Sequence, residues 1–238
     1  MVRTMDAPNR NAWLPPRLAL AVSLAAIAVA WAWTIARAGT GVELPQHFSE
    51  LAWRVARNKL LILGGLAVLL RLAGEGGEAL GLRRAGWRRQ VALGIAIGAG
   101  MFLVFNVALT SVLRGLFPTS SEPRRSVMVF FADPANLLVW LPIGIFGGGF
   151  VEELERIFAI TRFERWLGRA GLWLGIAASS VVFGLAHLYQ GPGAALSTGV
   201  SGFVLALVYL RRRAALEPIV AHATADVLAI LAATFLVH

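Results

Sequence analysis

A chain of 238 residues that is 58% hydrophobic, only 15% charged and has mean hydropathy +0.70 is too apolar for a soluble globular domain, and it reads as an integral membrane protein. Its formal charge of +9 comes almost wholly from arginine, Lys59 being the sole lysine, and the arginines sit in short loops between apolar runs. The positive-inside bias of membrane proteins accounts for that placement, so no nucleic-acid partner is implied. The chain has no cysteine, which excludes disulfides, cysteine-ligated metals and a cysteine nucleophile.

The first apolar run, 17 to 36, is followed by the small-x-small triplet Ala36-Arg37-Ala38, but its length and the interfacial Trp31 and Trp33 favour a retained first span over a leader. Residues 41 to 58, with His47, Trp53, Arg54 and Arg57 among apolar positions, form either an interfacial amphipathic helix or a solvated connector. The second expected span, 60 to 73, is short, and Lys59 and Arg71 at its ends are expected to snorkel to the interfaces. Further spans are expected at 91 to 113, 137 to 160, 172 to 189, 195 to 210 and 217 to 237, separated by connections that include Gly74 to Arg89 and the polar stretch Pro118 to Arg125. The expected fold is therefore all-α, a polytopic membrane helix bundle of about seven spans (six to eight), since each crossing takes roughly 20 residues. Residues 1–136 supply N-terminal helices and loops, and 137–238 a helical core of the same integrated membrane domain. A roughly two-to-one excess of basic residues on one side puts the N-terminus in the cytoplasm and fits a bacterial inner-membrane protein.

Charge inside such spans is costly, about 2.5 to 3.5 kcal/mol for a carboxylate at a helix centre, so the ionisable groups left there are the best functional clue. Glu152 and Glu153 are adjacent, and Arg156 lies four and three residues on, within reach of either carboxylate on one helix face. The bland alternative is a charge-paired helix end continued by Arg162, Glu164 and Arg165. Gly147-Gly148-Gly149 just before the pair implies close helix packing or a break. His187 ends an otherwise uncharged span. His222 and Asp226 share a helix face at i and i+4, where they either orient one another or ligate one metal.

Taken together these groups can hydrolyse an amide, a carboxylate removing a proton from water while imidazoles stabilise the oxyanion or shuttle protons. No serine nucleophile is needed; Ser179, Ser180, Ser197 and Ser201 read as small residues at helix contacts.

The ordered motifs Glu152-Glu153 with Arg156, Phe183-x-x-x-His187 and His222-x-x-x-Asp226 resemble those of the CPBP intramembrane metalloproteases, the Abi family, which includes the CAAX prenyl endopeptidases. The resemblance spans roughly 137 to 237. Arg156 stands one residue before the family's arginine position, which holds Ile157 here. The resemblance implies an intramembrane endopeptidase acting on a membrane-associated protein or peptide within the lipid bilayer. By it Glu152 is the general base, Glu153 orients and charge-balances the site, His187 assists or binds a metal, and His222 and Asp226 complete the set. The chemistry of these residues, rather than the resemblance, leads to an expected zinc or similar divalent ion on His187, His222 and Asp226. Asp226 suits a ligand or a histidine-orienting partner better than an oxyanion donor, since an ionised aspartate only accepts hydrogen bonds. Straight, upright spans with the boundaries above would leave His187 roughly 24 Å from the start of its helix, at a different depth from Glu152 and His222. Tilted helices, a submerged hairpin around Gly191-Pro192-Gly193 or a shifted span boundary would each reconcile them. Two other classes remain in view: a noncatalytic scaffold or bacteriocin-immunity-like protein of the same fold, and a proton-coupled transporter relaying through Glu152, Glu153 and His187.

Overall fold

The computed structural model describes residues 12–38, 47–117, 130 and 133–236, and among these there is helix and no strand. The stretch Pro118 to Arg125 and most of the connection before residue 47 lie outside the described residues. The helices are α1 (Pro16–Ala38), α2 (Phe48–Leu72), α3 (Trp87–Met101), α4 (Thr110–Leu116), α5 (Leu137–Pro142), α6 (Glu153–Ala186), α7 (Pro192–Arg212) and α8 (Leu216–Phe235). Two wider π-helical segments, Phe102–Leu109 and Ile143–Glu152, join α3 to α4 and α5 to α6. Five helical runs are long and apolar enough to cross a membrane: 16–38, 87–113, 134–186, 192–212 and 216–235. Large apolar side chains such as Val29, Leu103, Leu138 and Val181 stay exposed along them, as lipid-facing surfaces require. The protein is a helical membrane bundle.

Two expected boundaries shift. The stretch read as an amphipathic helix plus a short span is a single 25-residue helix, α2, whose charged N-terminal half keeps it out of the apolar class. The spans expected at 137 to 160 and 172 to 189 belong to one long run that reverses at Gly168, where φ is +60°, a left-handed conformation that favours glycine. On either side of that break the two arms of α6 lie antiparallel: a Cβ on Gly171 would collide with the Phe163 carbonyl, and one on Gly175 would stand 3.1 Å from the Ile160 Cα. Ile160, Leu172 and Ile176 close the hairpin into a buried cluster with Ala206 of α7.

This hairpin settles the depth of His187. Glu152 stands about 16 residues before the break and His187 about 19 after it, a difference of only about 5 Å along arms that run side by side. The shifted boundary reconciles them, with no submerged hairpin at Gly191 needed.

At the turned end, Glu75 accepts hydrogen bonds from Arg162 (3.2 and 2.7 Å) and from Arg165, tying the segment after α2 to α6. Burial pushes the Glu75 carboxyl upward, but the two guanidiniums outweigh it and hold it below its usual value of 4.5. A depressed carboxyl adds stability that is complete above the unfolded value and is lost as pH falls through the folded one. We therefore expect the thermal stability of the detergent-solubilised protein to decline as pH is lowered below about 4.5, and Glu75→Gln to lower stability at neutral pH while flattening that acid-side decline.

Candidate active site

Glycine decides how closely α8 approaches. On one side it packs on α3, where a Cβ on Gly94 would lie 2.7 Å from Val220 and one on Gly98 would lie 2.6 Å from Thr224. On the other it packs on the π-helical segment, where a Cβ on Gly144 would meet Ile230 at 2.9 Å and one on Gly149 would meet Ala223 at 2.6 Å and the Ile219 carbonyl at 2.9 Å. Small residues at four-residue spacing are what let membrane helices approach to backbone contact. The π-helical segment, a form common at functional sites, ends on Glu152 and so delivers the glutamate pair against the His222 face of α8.

The two adjacent glutamates then take different partners. Glu153, almost fully buried, accepts from Arg156 Nη1 at 2.6 Å and from His222 Nδ1 at 2.9 Å through the same oxygen, Oε1. Arg156 also donates to the Gly202 carbonyl and lies over the Phe183 ring, 5.0 Å from its centroid, so its position one residue early does not prevent pairing with Glu153. Because Nδ1 of His222 donates to Glu153, its Nε2 is turned toward Asp226 Oδ2 (3.6 Å) and Glu152 Oε2 (3.9 Å), both beyond hydrogen-bond length. Glu153 rather than Asp226 thus makes the orienting hydrogen bond to His222.

Glu152 is held by Lys59 Nζ through Oε1, an ion pair between α2 and the end of the π-helical segment. The sequence reading sent this lysine to the membrane interface; instead it turns inward. Glu152 and Lys59 face a cavity of about 190 Å³ between α1, α2 and α6, lined also by Glu155, Arg156, Phe183 and His187. His187 donates from Nδ1 to the Phe183 carbonyl (2.8 Å), which leaves Nε2 as the nitrogen able to accept a proton. Phe183 links the histidines, its ring centroid 4.9 Å from that of His187 and 5.8 Å from that of His222, edge-on to both.

All six expected residues, Glu152, Glu153, Arg156, His187, His222 and Asp226, therefore fall in one neighbourhood. Only Glu152, Arg156 and His187 line the cavity, with His222 and Asp226 behind Glu152. Among the described residues no three histidine, aspartate or glutamate side chains form a group that could hold a metal ion. Both histidines use Nδ1 for a hydrogen bond, His222 to Glu153 and His187 to the Phe183 carbonyl, which leaves Nε2 of each as the nitrogen a divalent ion would take. Lys59 and Glu155 were missed. For Lys59 a signal existed: one lysine among 22 basic residues, set within an apolar stretch.

An all-helical membrane bundle with a cavity-facing carboxylate and imidazole, backed by a charge-paired glutamate and a second imidazole, is what the described residues present. Residues 134–228, which carry all three motifs, match the family model "Type II CAAX prenyl endopeptidase Rce1-like". No curated protein and no solved structure matches the chain.

Proposed function

We propose that the protein is an intramembrane endopeptidase that hydrolyses a peptide bond of a membrane-associated protein or peptide. The observation that carries the reading is the presence of Glu152 and His187 on one cavity inside a segment that matches an endopeptidase-like family model. In this reading Glu152 takes a proton from a water molecule as the oxygen attacks the scissile carbonyl carbon, and returns it to the amine nitrogen as the carbon–nitrogen bond breaks. His187, through Nε2, binds the water or relays its proton. His222, its Nδ1 engaged by Glu153, presents Nε2 toward the same carboxylate. The Arg156–Glu153 pair holds that histidine in place, and Asp226 stands 3.6 Å from its Nε2.

The test compares membrane proteomes of cells that differ only in carrying the wild-type protein or Glu152→Ala. Processed fragments present with wild type and lost in the variant are the expected result. Identical proteomes would return the protein to the scaffold class.

A further inference from the structure

The cavity collects more negative charge than the family motifs neutralise. Arg156 is spent on Glu153, and Glu152 and Glu155 both face the cavity with Asp226 close behind. The cation that meets them comes from outside the matched segment. Lys59 sits midway along α2, its side chain 19% exposed, and donates to Glu152 Oε1 across 93 residues of sequence. The lysine stem lies against Gly147, where a Cβ would stand in ordinary contact at 3.4 Å from Lys59 Cγ and 3.6 Å from Cε, so the stem runs along the π-helical segment.

We propose that Lys59 is a positioning residue of the site, its ammonium fixing Oε1 of Glu152 at the cavity so that Oε2, 3.9 Å from His222 Nε2 and beyond hydrogen-bond length of it, is the oxygen left to take the proton, the task a bound cation would otherwise perform. The inference rests on Glu152 being the proton acceptor proposed above. A buried carboxylate needs a nearby positive group or hydrogen-bond donors to offset its desolvation, and an ammonium on a flexible stem supplies both without filling the cavity. The contact also fixes α2 against the rest of the site, so this helix, which is not itself apolar enough to count as a span, becomes a wall of the cavity.

The experiment uses full-length protein in isolated membranes and follows the fragments whose appearance depends on Glu152. Lys59→Ala is expected to lower the rate of their appearance by about 100-fold or more, and added ethylammonium, a probe for the missing amine, to restore it at least several-fold. Lys59→Arg should retain more activity than Lys59→Met. Only folded protein can be rescued, so recovery with the amine separates positioning from loss of structure. Lys59→Ala at wild-type rate, raised activity in Lys59→Met, or reduced activity that no small amine restores would each overturn the inference. So would wild-type protein that holds stoichiometric divalent metal and loses activity to a chelator. Thermal unfolding of Lys59→Met, Glu152→Gln and the double variant provides a readout independent of cleavage: a pair in contact gives non-additive shifts, additive ones overturn the pairing. If Glu152→Ala abolishes cleavage but the Lys59 variants do not, this inference alone fails; if Glu152→Ala changes nothing, the protease reading fails, while non-additive unfolding would still report the ion pair.

Discussion

Replacing Glu152 by glutamine is expected to lower the rate of cleavage about 100- to 10,000-fold, the usual contribution of a positioned general base, while leaving the protein folded. Glutamine keeps the shape of the side chain, and its amide oxygen still accepts from Lys59, so the ion pair becomes a hydrogen bond rather than an unpaired ammonium. What is lost is the second oxygen as a proton acceptor. The companion change Glu153→Gln behaves differently, because Glu153 Oε1 receives both Arg156 and His222. A neutral amide there leaves a buried guanidinium without its counter-charge, which costs several kcal/mol in comparable buried pairs, so that variant should lose thermal stability and activity together. Circular dichroism and melting temperature, set beside cleavage rate, separate the two: activity lost with the fold intact for Glu152→Gln, both lost for Glu153→Gln. Equal melting losses in both variants would refute this division of labour.

The contrast between the two glutamates marks how far the sequence could be read. Composition made the membrane bundle plain, and helical spacing put Arg156 within reach of either glutamate, a local property of one helix that leaves open which of them it takes. Which glutamate faces the cavity is not local. It depends on the π-helical segment that ends at Glu152, on α8 and its histidine arriving from 69 residues away, and on Lys59 arriving from 93. The depth of His187 was misjudged for a similar reason: Arg162, Glu164 and Arg165 look like a loop, yet Arg162 pairs with Glu75 and Glu164 with Arg213, and these pairings let the helix continue to Gly168. Charges that read as a boundary were satisfied by partners distant in sequence.

The neighbouring glycines of the π-helical segment should fail in different ways when enlarged. A Cβ on Gly149 would stand 2.6 Å from Ala223 Cβ, 2.9 Å from the Ile219 carbonyl and 3.0 Å from the Ala223 Cα, all on α8 and two of them backbone atoms that cannot swing aside. Gly149→Ala must therefore push α8 away as a unit, and Gly149→Leu further still, at a cost of about 1 to 3 kcal/mol for the smaller change. A Cβ on Gly148 instead runs into Asp226 Oδ2, with His222 Nε2 at 3.7 Å. An aspartate can turn its carboxylate aside, so Gly148→Ala should keep most of its stability while moving the negative charge away from His222 Nε2. The expected result is a melting temperature near wild type with strongly reduced cleavage for Gly148→Ala, against a lowered melting temperature for Gly149→Ala. Adding Asp226→Ala to Gly148→Ala removes the clash, so the double variant should melt no lower than Asp226→Ala alone. If both glycine variants melt alike and retain activity, α8 does not approach the π-helical segment at backbone contact, and the juxtaposition of His222 with Glu152 on which the hydrolytic reading depends is lost with it.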